Sequence, residues 1–439
     1  MGGIFLVLFI DLVGFSIVFP LFAHLLDHYA AQGSGLLASA MAVAERVVPV
    51  SGHWQRAALF GGMLGAFYSL LQFVAAPWWG RLSDRVGRRP VLLASIIGNT
   101  LAYLVWIFAA DFTLLLLSRL LAGLMTGNTS AATAAVADIS TPATRARGMG
   151  MVGMAFGLGF LLGPAIGGLS YELLPRLDQI DVLAALGANP FSTPALVAFL
   201  LSLTNLLWVY FRFRETLPPA RRQVDAGERS ASPLVIFAPT LGRATVTVNS
   251  AFALHILLFS GMEATLVFIA AQRCGFSVFD TTWLFVAMGL VTAAVQGGVF
   301  RRLPPGTDQR RVAMAGLLAL MPGYLGIALV NWLPQAWLLY LGVCVLSVGT
   351  GLVFPALSTL ASLAADGANQ GRAMGALRSA GALGRAAGPL LAAVIYFVWS
   401  PAAPYLFAAA GVVVPILLVQ RLVPLLRTSS DRPSAPTSH

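Results

Sequence analysis

The chain contains no lysine: all 27 basic residues are arginine, only 17 residues are acidic, and charged residues make up 10% of the 439. So few charges cannot coat the surface of a soluble protein that is 58% hydrophobic, and a bilayer is the solvent such a chain fits. Cysteine is almost absent. Cys274 and Cys344 lie in or beside apolar runs without metal-ligand or redox spacing, and both are expected as free thiols. There is no nucleotide-binding loop, no cluster of metal ligands and no nucleophile elbow, so the sequence gives no support to ATP-driven transport, a metal site or membrane hydrolysis. The net charge of +10 would suit a nucleic-acid binder, but the arginines fall between apolar runs rather than in one patch, and no nucleic-acid partner is expected.

What is present is a series of long apolar runs. About 20 such residues are needed to cross roughly 30 Å of hydrocarbon. Windows of that kind run near 3–26, 58–79, 90–109, 112–137, 148–171 and 192–211, then 246–271, 280–300, 312–332, 335–361, 373–397 and 403–424. The first begins apolar at once, lacks a basic leader and cleavage site, and reads as a spanning helix rather than a removed signal. Leu6 breaks the myristoylation pattern that Met1-Gly2 suggests. The charged, proline-bearing stretch FRFRETLPPARRQVDAGERSASP divides the windows into two groups of six. The expected organisation is therefore a first six-helix bundle over 1–211, a linker over 212–245, a second bundle over 246–426 and a tail over 427–439.

With the N-terminus in the cytoplasm, twenty arginines fall on the cytoplasmic side and four outside, which places both termini in the cytoplasm. The sequence also repeats itself. RGMGMVGMAFGLGFLLGP (147–164) and RAMGALRSAGALGRAAGP (372–389) share eight of eighteen positions at a constant offset of 225. Both copies follow a cytoplasmic arginine, so the halves are parallel repeats, with a site expected between them at mid-membrane. Two longer loops, 27–57 and 172–191, lie outside. LLASAMAVAERVVPV in the first suits a short surface or capping helix, or a loop with no substrate contact.

Between the second and third windows GRLSDRVGRR packs five charges into ten residues and reads as a tight cytoplasmic turn, with Asp84 able to cap a helix start. Its order, Gly80-x-Leu82-x-Asp84-Arg85-x-Gly87-Arg88-Arg89, resembles the signature loop of the major facilitator superfamily. Three stretches sharpen the resemblance. Asp11-Leu12-Val13-Gly14-Phe15 ending at Pro20 looks like a motif of the twelve-helix drug/proton antiporters, the group that includes tetracycline exporters. Arg119-x-x-x-Gly123-x-x-x-Gly127 matches the family's arginine motif, and Gly159-x-x-x-Gly163-Pro164-x-x-Gly167-Gly168 the motif that marks exchangers. The resemblance implies an all-α membrane protein, two pseudo-symmetric six-helix bundles, alternating access, and drug efflux in exchange for protons from a bacterial inner membrane. By the same resemblance Asp84 and Arg88 hold the cytoplasmic side shut through groups in the opposite bundle. The glycines of the fifth helix are expected either to serve simply as packing or to form a sliding interface against the eighth.

Charges inside the membrane are costly, so each is a functional candidate. Asp11, about 12 Å from one face, and Arg119, about 10 Å from the other, fall within a long arginine side chain's reach in the middle of the first bundle and are expected to meet as a proton-coupling pair or as a permanent salt bridge. Glu263 and Arg385 match in depth, about 20 Å and about 18 Å. They are expected either to pair with each other or to serve separately, Glu263 for protons or a cation and Arg385 for an anionic substrate. Arg378, near the cytoplasmic end, reads as a snorkelling residue. His24 and His255 can relay protons but read more simply as structural. Helix position nominates Phe15, Tyr68, Gln72, Asn128, Asn249, Trp283 and Gln296 as further cavity residues.

The resulting expectation is a monomeric transporter, not an enzyme, working in membrane lipid with no cofactor beyond the coupling proton. It exchanges a small amphipathic compound for protons. The alternative substrate is an organic anion or anionic lipid bound by the buried arginines. A non-transporting receptor or scaffold is the reading from another class.

Overall fold

The spanning helices follow from the apolar windows, but their ends are set by local chemistry. In the computed structural model, which describes residues 2–47, 52–141, 144–222, 241–304, 306–364 and 370–422, they are α1 (Gly2–Ser16), α2 (His53–Val86), α3 (Arg88–Ile107), α5 (Arg145–Leu173), α6 (Ser192–Arg212), α7 (Arg243–Cys274), α8 (Val278–Ala294), α9 (Gln309–Leu329), α10 (Ala336–Leu363) and α11 (Gln370–Val398). The fourth pass is split into α4a (Phe112–Leu124) and α4b (Gly127–Asp138), and the twelfth into α12a (Ala403–Gly411) and α12b (Val413–Gln420). Eleven spans among the described residues are long and apolar enough to cross a membrane, and the split fourth pass completes twelve. No strand occurs among the described residues. The tail over 427–439 and residues 223–240 of the linker lie outside the described residues.

The break in the fourth pass was not expected from its apolar run. Gly123 and Gly127 let it come close to α2, where a Cβ would meet the Tyr68 carbonyl at 2.8 Å and the Trp79 ring at 2.5 Å. The interruption frees a carbonyl at Leu124, and Trp79 Nε1 donates to it at 2.7 Å, so the freed backbone group is not left unsatisfied. In the loop over 27–57 a helix does form, Gly35–Val47, and it buries Leu37 and Met41, one turn apart, against the first bundle.

Within each bundle the duplication is visible as equivalent packing. α5 lies along α1, with Gly159 against Leu12 and Gly163 against Ser16, and α11 lies along α7, with Gly384 against Ala253 and Gly388 against Ser260. The offset of 225 relates the two glycine pairs. The bundles meet where α2 packs on α11 and where α5 packs on α8 and α10. Small residues set these approaches. A Cβ on Gly153 would stand 2.8 Å from Pro355, and one on Gly168 would stand 2.7 Å from Thr282 Oγ1.

Candidate functional site

Phe15 near the end of α1, Phe19 in the 3-10 turn Phe19–Leu21 and Phe22 at the start of the helix Phe22–Ala31 stand across from a small-residue stripe on α2, Gly61, Gly65 and Ser69. Between them and α7, α8 and α11 lies a cavity offering about 80 Å³ to the centres of water molecules, room for about six waters or one small organic molecule. Phe268 and Phe285 close its other walls, and two charged side chains face it, Glu263 and Arg385. An apolar cavity with a few placed polar groups is the usual form of a small-molecule site.

Arg385 and Glu263 do not pair in the way their depths suggested: no ion pair within 4 Å joins them. Arg385 Nη2 instead donates to Gln72 Oε1 at 2.7 Å, across the boundary between the bundles. Glu263 is buried, and its Oε1 has no hydrogen-bond partner. Tyr68 sits beside this wall, its ring 4.2 Å from that of Phe15.

Asp11 and Arg119 are likewise separate. Asn99 Nδ2 donates to Asp11 at 2.8 Å, Thr129 Oγ1 donates at 3.5 Å, and Asn128 lies next to Thr129 on α4b. Arg119 lies over the Trp106 ring at 4.3 Å and near the Tyr103 ring at 5.8 Å, both on α3. The expected pairing is therefore replaced by separate partners, amide and hydroxyl groups for Asp11 and aromatic rings for Arg119. The π-faces of Trp106 and Tyr103 take the place in Arg119's surroundings that a carboxylate was expected to fill.

The charged stretch is also not the turn it resembles. Gly80 to Val86 form the last turns of α2, and Gly87 alone, at φ 108°, joins α2 to α3. Asp84 caps no helix start. It pairs with Arg88 at 2.6 Å, and Arg88 reaches Asp138 of α4b at 2.9 Å, so its described partner belongs to the same bundle rather than to the opposite one. The start of α3 is covered instead by Glu215, which accepts from the backbone N–H of Arg88 at 2.9 Å and of Arg89 at 3.1 Å. Thr216 and Leu217 also donate to it, each at 2.9 Å. Burial opposes the charged form of Glu215, but these four donors outweigh it and hold the carboxyl below its ordinary range. Glu215 is not among the residues nominated from sequence, although an acid just after a spanning helix is a readable signal for a helix-start partner. Arg89 Nη2 donates to the Tyr210 carbonyl at 2.7 Å, and Arg85 is exposed.

The exchanger-motif glycines divide between two neighbours. Gly159, Gly163 and Gly167 face α1, within the bundle, and Gly168 faces Thr282 of α8. Pro164 lies inside α5 without ending it. The interface with α8 at the other end is made by Gly157, outside the motif spacing, against Thr292 and Gln296. Gln296 stands in a π-helical turn, Val295–Val299, buried with neither amide atom partnered, and Asn249 on α7 is buried in the same condition. Trp283 is 52% exposed and points away from the cavity. Phe285, two residues or about 200° further round α8, lines it instead. His255 is buried, and neither of its ring nitrogens has a partner.

Two parallel-repeat bundles, a cavity between them and buried charges on its wall define a membrane transporter of small molecules, not an enzyme. The chain belongs to the major facilitator superfamily, whose model matches residues 4–386 and 307–438. It is 33% identical to mouse major facilitator superfamily domain-containing protein 10 over 98% of this chain and 94% of that one. It is 31% identical to the Escherichia coli tetracycline resistance protein, class B, over 76% and 78%. The crystal structure of the human organic anion transporter MFSD10 (TETRAN) superposes with a TM-score of 0.82 at 32% identity, covering 95% of this chain and 98% of that one.

Proposed function

We propose that the protein carries small organic anions with an apolar body, by alternating access around the cavity between the bundles, with protons as the coupling ion. The observation that carries this reading is Arg385, which brings a permanent positive charge to the wall of a largely apolar cavity that it shares with Glu263. Arginine takes a carboxylate through two parallel hydrogen bonds, and the surrounding phenylalanines suit the rest of an aryl or alkyl acid. The whole-chain similarity to a protein described as an organic anion transporter supports the same substrate class. Glu263, in the cavity, and Asp11, held by Asn99 and Thr129, supply the carboxyl groups that gain and lose the coupling proton. Both chain ends face the cytoplasm, following the arginine bias.

Drug/proton exchange of a cation is the second reading. It is favoured by the unpartnered Oε1 of Glu263 and by the similarity to tetracycline resistance proteins. Proteoliposomes under an imposed pH gradient separate the two. The proposal expects movement of an aryl carboxylate such as 1-naphthoate and none of a lipophilic cation; the reverse result overturns it.

A further inference from the structure

Arg378 lies seven residues before Arg385 on α11, about 10 Å along the axis and nearly two full turns away, so the two arginines share one face of the helix. It does not snorkel. Arg378 is 2% exposed, and its Nε and Nη2 have no hydrogen-bond partner. Its guanidinium carbon lies 3.9 Å from the centre of the Phe156 ring and 5.9 Å from that of Phe354. Phe156 belongs to α5 of the first bundle and Phe354 to α10 of the second, and their rings stack at 5.3 Å. The lid over Arg378 is thus built from both bundles and comes apart when they part at that end.

Two aromatic faces offset part of the cost of burying a guanidinium but satisfy none of its N–H donors. A carboxylate would satisfy them.

We propose that Arg378 is a second anion site, in line with Arg385, which takes the organic carboxylate when the bundles open on the face carrying the chain ends. The Phe156–Phe354 lid covers it when that face is closed. The inference rests on the organic-anion reading of the cavity. The anion moves from one arginine to the next along a single helix face.

The test is counterflow of 1-naphthoate in proteoliposomes sorted by the accessibility of a tag at the C-terminus, so that KM is read separately at each face. Arg378→Met keeps an unbranched chain between the two rings and removes the charge. It should raise KM about tenfold at the face carrying the chain ends and leave KM at the other face within about twofold of wild type. Arg378→Lys should recover part of the loss. A KM unchanged at both faces, or raised equally at both, overturns the second site. Arg385→Gln, run in parallel, checks the underlying reading: if it leaves exchange intact while Arg378→Met gives the one-sided shift, the cavity assignment fails and Arg378 stands. A wild-type protein with no saturable 1-naphthoate exchange overturns both.

Discussion

Arg385 and Gln72, 313 positions apart in the chain, meet at 2.7 Å, the guanidinium of the second bundle donating to the amide oxygen of the first. The boundary they cross is one that alternating access must rearrange. In the proposed function, a substrate carboxylate competes with Gln72 for the guanidinium and, being charged, is the stronger acceptor. Occupation of the cavity and release of one contact between the bundles would then be linked.

Gln72→Glu places a fixed carboxylate against Arg385 with almost no change in shape. The KM for 1-naphthoate in counterflow should rise by about tenfold or more, through competition for the same guanidinium. An unchanged KM would mean that Arg385 does not bind the substrate's charge.

Glu263→Gln and Asp11→Asn keep the size of each side chain and remove its proton. If these carboxyls couple transport to protons, pH-gradient-driven accumulation is lost in at least one variant while 1-naphthoate counterflow continues. Accumulation that survives in both, and in the double variant, removes them from coupling.

Gly163→Val should destabilise the protein by about 1–3 kcal/mol or prevent its folding, because its Cβ meets Ser16 and the Val13 carbonyl of α1. Gly65→Ala, on the cavity wall, has nothing within 4 Å of its Cβ and should leave thermal stability in detergent unchanged. Equal midpoints for the two variants would contradict the close α1–α5 packing.

Glu215 makes a pH-dependent contribution whose sign is fixed. Its folded-state pKa lies below the ordinary 4.5, so the stabilisation is present above that pH and is lost as pH falls through the lower folded value. Glu215→Ala should cost about 1–3 kcal/mol at pH 7, and less at pH values below 4, as read by thermal unfolding. A cost that stays constant down to low pH would remove the charge from the account.

The sequence showed most of the architecture because lipid leaves few alternatives: apolar length gives the passes, and the offset of 225 gives the parallel halves, visible again in Gly159–Leu12 and Gly384–Ala253. Helix position nominated Phe15 and depth nominated Glu263 and Arg385, which all line the cavity, and Gln72 reaches it through Arg385. What the sequence could not supply was azimuth. Asp11 and Arg119 each meet partners other than one another, and Trp283 differs from Phe285 only by rotation about α8. The break after Leu124 depends on a tryptophan 45 residues earlier, Trp79, which the local apolar pattern does not contain. Arg378 was read as a residue reaching for water because its cover, Phe156 and Phe354, comes from two distant helices.

The central claim is that Arg385 binds an organic anion in the cavity between the bundles. The most direct measurement is 1-naphthoate counterflow in proteoliposomes of wild type, Arg385→Gln and Arg385→Lys, with a lipophilic cation as the control substrate. Saturable exchange of the acid by wild type, abolished in Arg385→Gln and partly kept in Arg385→Lys, with the cation unmoved, is the predicted result. Exchange of the acid that is unchanged in Arg385→Gln, or exchange of the cation alone, contradicts it.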